Sequence, residues 1–364
     1  MQAFYAFPPL IKNQRFPCEG ITMNKKIYLI SFSLLLSASS FDLTGQTVQH
    51  NKPQNLQHSQ SYFSKIKEIL QDHATLSFIK TYLTIRYQDL TNDLDTFEST
   101  ERYIAQMLDS LQKYGPGKTR KLFFEPDAIK NAHKKIYTRH TALKYDFDAT
   151  ALLPLIKELE SNASILDVGA GFNNFLPQVK KLAGRTDLNY YATAPFVNGT
   201  SKDGVIFLHQ PGPYTLPAGS YDVIILRAAL HHVEDVEKMI EQIRKKLKPS
   251  GKLVLIEDSF DDLNTSIWSE TEHMSNELLN TQFNHLTDEQ KINFLIFNDW
   301  YANHLYHAWN TMPLPFYHKS HSGWTNKLSQ LGMRFLSSLN MGFPTNQYAM
   351  HQPSTLIMVF QQIS

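Results

Sequence analysis

Ile165-Leu166-Asp167-Val168-Gly169-Ala170-Gly171-Phe172-Asn173-Asn174 reads as a short apolar strand, a glycine turn and the start of a helix. Ile165 to Val168 is the strand. Phe175 to Ala183 continues as a helix, with Asn174 as its N-cap, Pro177 in the tolerated first turn and Gly184 past its end. A strand that runs through glycines into a helix lets the backbone approach a ligand and presents unpaired N–H groups to it. A glycine pair also serves purely structural turns, so its neighbours decide the reading.

Downstream, strands and helices keep alternating. Leu188 to Ala194 and Val205 to His209 read as strands, and Tyr221 to Leu226 is the nearly unbroken apolar run of a strand covered on both faces. Val236, Met239, Ile240, Ile243 and Leu247 mark one stripe of the next helix, which stops at Pro249 and Gly251 before the strand Leu253 to Ile256. The expectation is an α/β fold: a doubly wound, mostly parallel sheet with helices on both faces.

Upstream the chain is helical. Phe63, Ile66, Ile69 and Leu70, then Tyr103, Ile104, Met107, Leu108 and Leu111, recur at helical intervals and predict two or three helices before Gly115-Pro116-Gly117. A basic stretch from Lys118 to His140, read as a solvated face, leads into a further helix at Thr150 to Leu159. Met23 opens a different pattern, with Lys25 and Lys26, apolar residues Ile27 to Leu36 and small residues Ser37 to Ser40. That is the layout of an export signal, too short for a comfortable membrane span. The predicted organisation is a signal or hydrophobic segment at 1–45, a polar linker at 46–61, a helical region at 62–149 and the α/β domain at 150–364, with a helical insertion at about 260–312.

Lys+Arg 35 against Asp+Glu 34 leaves no strong field to hold a phosphate backbone, so no nucleic-acid partner is expected. Cys18 is the only cysteine, which excludes an internal disulfide and a thiolate metal cluster. No stable membrane span is expected in the mature chain.

DVGAGFNN, followed by SYDVIILRAALHHVED and LKPSGKLVLIED, resembles the motif series of class I S-adenosylmethionine-dependent methyltransferases, of the type-11-like small-molecule kind. The likeness covers about Thr150 to Ser259 and, more loosely, Pro313 to Phe360. It implies a seven-stranded, Rossmann-like sheet closed by an antiparallel strand at Leu356 to Phe360, S-adenosyl-L-methionine as cofactor and methylation of a small-molecule or lipid-like acceptor. It places Asp167, Gly169, Ala170 and Gly171 in the methionine pocket and Arg227 at the end of the fourth strand. Three departures stand out. Asn173 replaces the third glycine, and asparagine tolerates left-handed backbone. YYATA puts Thr193 where an acidic residue usually holds the ribose. Phe207-Leu208-His209-Gln210-Pro211 lacks the acid often found after the third strand. Tyr191, Thr193, His209 and Gln210 are the substitute partners, each neutral and so a weaker hydrogen-bonding group than a carboxylate.

Methyl transfer is an in-line displacement that needs the acceptor held close and water excluded. His231 and His232 are the candidate bases for a hydroxyl acceptor, with a structural role as the plainer alternative. Glu257 and Asp258 end the fifth strand on the same edge and either touch substrate or cap the next helix. In the insertion, Trp268, Trp300, Tyr301, Tyr306 and Trp309 suggest an aromatic acceptor pocket. His304, His307, His318 and His321 are read as packing residues and no metal is expected, since no cysteine and no regular carboxylates accompany them. The alternative to an enzyme is a degenerate methyltransferase fold that only binds; a dehydrogenase fits the later motifs poorly.

Overall fold

The computed structural model describes residues 54–88, 99–195, 199–210, 212–261, 276–308, 313–343 and 355–363. The stretch opening at Met23 that reads as an export signal, together with Cys18, Trp268 and Trp309, lies outside them. Among the described residues, five helices precede the sheet: α1 (Gln54–Ile69), α2 (His73–Arg86), α3 (Thr100–Tyr114), α4 (Pro116–Phe123) and α5 (Asp127–Lys157). Helix α1 begins inside the stretch read as linker. Helix α5 runs for 31 residues, so the second half of the basic stretch and the predicted helix at Thr150 are one element; Pro154 is accommodated in its interior.

The sheet follows as β1 (Ser164–Val168), α6 (Phe175–Ala183), β2 (Asn189–Thr193), β3 (Ile206–Leu208), β4 (Tyr221–Arg227), α7 (Val236–Lys246) and β5 (Leu247–Asp258). Next come α8 (Glu277–Asn284), α9 (Asp288–Trp300) with a π-helical turn at Tyr301–Tyr306, α10 (His321–Gln330), β6 (Met333–Gly342) and β7 (Thr355–Gln362). The strand order is β3-β2-β1-β4-β5-β7-β6, seven strands in all. The first five run parallel, and β7 is antiparallel to both β5 and β6. The doubly wound expectation holds, and β5 starts earlier than Leu253 because Leu247 already pairs with Tyr221 before an irregularity.

Alternation along the strands sends side chains to two cores. Leu166, Ile224, Leu226, Leu253 and Leu255 pack with Met239, Ile240 and Ile243 of α7 and with Trp324 and Leu328 of α10. Ile165, Val223, Ile225 and Val254 face the other way, against Leu176 and Val179 of α6 and Leu152 and Ile156 of α5. A third core joins the N-terminal helices to the insertion: Phe78 and Tyr82 of α2 pack edge-on against Phe294 of α9, and Phe78 meets Phe283 of α8. The helical region and the insertion are therefore one helical cap. Burying each such ring contributes roughly 1.5–3 kcal/mol, which makes the cap a rigid support. Among the described residues, no helix is long and apolar enough to cross a membrane.

Candidate functional site

The edge of the sheet where β1 and β4 end carries the first half of the site. Gly169 sits at φ +81, and a Cβ there would lie 2.9 Å from Cβ of Ala229, so both the backbone and the space demand glycine. Gly171 is at φ +55 with nothing within 4 Å of where a Cβ would stand. Asn173 takes the left-handed conformation at φ +55; its amide donates to the Thr200 carbonyl, and its backbone N–H to Ala170. The turn thus keeps its course without a third glycine. Asn174 does not cap α6 with its side chain, which instead accepts from Lys202.

Asp167 is 1% exposed and neither carboxylate oxygen has a hydrogen-bond partner. Burial pushes its carboxyl up to about 7, against the pull of Arg227. Arg227 is bound to Asp148 of α5 at 2.7 Å and lies over the rings of Tyr145 and Phe175. Lys144 stands 3.9 Å from the same carboxylate.

The remaining predicted cofactor residues part company. Thr193 is fully buried, and its hydroxyl is hydrogen-bonded to the Leu208 carbonyl and to Oε1 of Gln210. The Gln210 amide donates to the carbonyls of Gly212 and Pro213. Both side chains tie β2 to the loop after β3. His209 is exposed at the end of that strand, and Ala170 lies within the turn, where its N–H and that of Gly169 both donate to the Thr193 carbonyl.

The second half is built where β4, β5 and the cap converge. Ala228, at φ +47, turns the chain so that the N–H groups of Ala229 and Leu230 donate to Oε1 of Glu257. Oε2 of Glu257 accepts from Nδ1 of His231. Glu257 therefore caps the turn after β4 rather than the next helix. His232 donates from Nδ1 to the Pro313 carbonyl at 3.0 Å. Asp299 of α9 brings Oδ1 to 3.7 Å from Nε2 of His231 and 3.5 Å from Nε2 of His232. His318 stacks on His231, centroids 5.1 Å apart. Burial opposes a charge on His231, yet Glu257 and Asp299 outweigh it and raise its pKa well above the ordinary value. Burial holds His232 low, and pushes His318 down to about 3.

His304 packs edge-on against Tyr62 and His307 against Tyr306. Neither joins the histidine cluster at the sheet edge, nor does His321, whose ring meets Phe335. Asp299 was absent from the candidates drawn from sequence. The signal lay in Phe294-Leu295-Ile296-Phe297-Asn298-Asp299-Trp300, an acid inside an apolar helical run.

Residues 137–316 match the model of a family described as a methyltransferase domain. The highly reducing polyketide synthase resH of Aspergillus sclerotiorum is 27% identical over 126 residues, 30% of this chain and 5% of that protein. The lovastatin diketide synthase lovF of Aspergillus terreus is 31% identical over 97 residues, 27% of this chain and 3% of that protein. The matches thus span a small fraction of these curated relatives. The solved methyltransferase domain of the citrinin polyketide synthase is 14% identical, covering 72% of this chain and 66% of that one at a TM-score of 0.40. The match over 137–316 is to a methyltransferase domain, and the strand order gives this region a seven-stranded Rossmann-like sheet.

Proposed function

We propose that the chain binds S-adenosyl-L-methionine at the β1 turn and transfers its methyl group to a small-molecule or lipid-like acceptor. One observation carries the reading: Asp167 is a buried carboxylate without a hydrogen-bond partner, beside a turn with open space at Gly171. Burying such a group unpaired is costly, and the ammonium of an amino-acid moiety matches both its charge and its lone pairs. The methionine end of the cofactor fits these residues. When bound, the cofactor supplies a methyl group activated on a sulfonium.

Asp167 holds the ammonium, while Gly169, Ala170 and Gly171 let the backbone come close. Arg227 keeps Asp167 beside a compensating charge. At the adenosine end the fit is weaker, because Thr193 and Gln210 spend their side chains on each other and on backbone carbonyls, while His209 stays exposed after β3. His231 and His232 act on the acceptor, their rings fixed by Glu257 and the Pro313 carbonyl. The cap supplies Asp299 and excludes water from this side. Polyketides are the first acceptor class to screen, since the curated relatives are polyketide synthases.

Calorimetric titration of S-adenosylmethionine into the full chain tests this, with saturable binding expected; no heat at millimolar ligand sinks it. A second reading, a binding protein without turnover, draws on the missing ribose carboxylate at Thr193. It predicts ligand binding with no release of S-adenosylhomocysteine in the presence of any acceptor. The pattern opening at Met23 is proposed to direct export, which the mass of the mature N-terminus checks.

A further inference from the structure

Around Asp299 three ligand atoms converge. Nδ1 of His231 and Nδ1 of His232 are committed to Glu257 and to the Pro313 carbonyl, so both rings turn Nε2 toward one carboxylate. Both separations from Asp299 Oδ1, 3.7 and 3.5 Å, are too long for good hydrogen bonds. One ligand atom from each of the three residues lies within 4.8 Å of the other two. Ligands held about 2.0–2.2 Å from one ion stand about 3–4 Å apart, so small side-chain movements bring all three onto a common centre.

Two further observations separate this cluster from an ordinary ion-pair network. Asp299 is 8% exposed, and its Oδ2 is buried without a hydrogen-bond partner while Oδ1 accepts from Asn303 at 2.7 Å. His318, stacked on His231, has two ring nitrogens shielded from solvent and neither is hydrogen-bonded. A charged His231 between Glu257 and Asp299 would explain the Nδ1 side. It leaves Asp299 Oδ2 and both nitrogens of His318 without partners, and each such group costs about 1–3 kcal/mol. A cation at this point would satisfy the lone pairs of Asp299 Oδ2, which no donor reaches.

We propose that His231 and His232, each through Nε2, and Asp299, through its carboxylate, hold a divalent first-row transition-metal ion. Two imidazoles and one carboxylate suit Zn²⁺, Fe²⁺ or Co²⁺ rather than Mg²⁺ or Ca²⁺. Glu257 and the Pro313 carbonyl are then the outer partners that fix the tautomer and orientation of the ligating rings. These are not the histidines that the insertion's sequence suggested; the ligands come from the turn after β4 and from α9. The ion's role rests on the methyl-transfer reading: at the acceptor side it would take an oxygen of the acceptor and lower that oxygen's proton affinity, the histidines acting through the ion.

The test uses the full chain, stripped with a chelator and titrated with Co²⁺ and Zn²⁺. X-ray absorption is recorded on the loaded wild type, and S-adenosylhomocysteine is titrated separately into the stripped protein. The expected result is one ion per chain, at least two imidazole ligands, and affinity lowered at least about tenfold in His232→Ala and Asp299→Ala. Absence of stoichiometric binding, fewer than two imidazoles on the wild type, or wild-type affinity in both folded variants would overturn the site. If the variants fail to fold, the absorption spectrum of the wild type decides. Binding of S-adenosylhomocysteine without metal binding removes the ion and leaves methyl transfer standing. Metal binding without S-adenosylhomocysteine binding supports the ion and counts against methyl transfer.

Discussion

The glycine-turn half of the site is assembled from neighbouring strands and one tight turn, whereas the histidine half draws on the ends of β4 and β5, on α9 in the cap and on the loop at Pro313 to His318. In the first half, backbone conformation is the main device, with Gly169, Gly171 and Asn173 all in left-handed geometry. In the second, side-chain chemistry is, and it exists only because the helical insertion packs on the N-terminal helices through one hydrophobic core. Changes in the first half should act locally on ligand binding. Changes in the second, or in the helices behind it, should act through the packing of the cap.

The largest expected effect tests the link between helix α5 and the turn half. Arg227→Met leaves Asp148 fully buried with only Lys144 nearby at 3.9 Å. Removing one partner of a buried pair should lower stability by about 3 kcal/mol, measured by urea denaturation. Asp167→Asn should weaken S-adenosylmethionine binding by about 10- to 100-fold, because a charge-assisted contact is replaced by a neutral one. The same substitution should stabilise the ligand-free protein at pH 8. Burial raises the Asp167 pKa from 3.8 to about 7. A raised carboxyl pKa favours the fold below the unfolded-state value, and that contribution is lost as pH climbs from about 4 through about 7. Asparagine removes this loss, so its thermal midpoint should exceed that of the wild type at pH 8 and not at pH 4. Cofactor affinity of the wild type should correspondingly rise with pH toward about 7, as the carboxylate ionises, and fall again above about 8, as the ligand's amino group loses its proton.

Smaller effects separate the two glycines. Gly171→Ala meets no atom of the chain, so the fold should lose only about 1 kcal/mol to left-handed strain while the added methyl group intrudes on the ligand space. Affinity should fall with the far-UV spectrum unchanged. The smallest is Thr193→Val, which removes the tie to Leu208 and Gln210 at a cost of about 1 kcal/mol. Its effect on cofactor affinity should be well below that of Asp167→Asn; an equal or larger loss would give the hydroxyl a direct ligand contact.

The same contrast explains what the sequence makes legible. The strand, glycine turn and helix around Gly169, the apolar run of β4 and the stripe on α7 are local patterns, and local patterns survive in a single sequence. The left-handed Asn173 could be expected for the same reason. Asp299 could not be, since its meeting with His231 and His232 depends on the long-range packing of α9 on the cap, for which no spacing rule exists. Thr193 and Gln210 show a complementary failure. Their residue types suit hydrogen bonds to a ribose, but which way a buried hydroxyl or amide turns is set by the loop after β3, whose carbonyls take those bonds. The basic residues up to His140 mask the continuity of helix α5 in the sequence; in the folded chain the helix runs through them to Lys157.

The central claim, that an unpartnered Asp167 beside an open glycine turn binds the cofactor's ammonium, is tested most directly by calorimetry. S-adenosylmethionine is titrated at pH 8 into the full chain and into its Asp167→Asn variant. Saturable wild-type binding that weakens by about 10- to 100-fold in the variant, whose fold remains intact, is the predicted result. Equal affinities, or no wild-type heat at millimolar ligand, would contradict it.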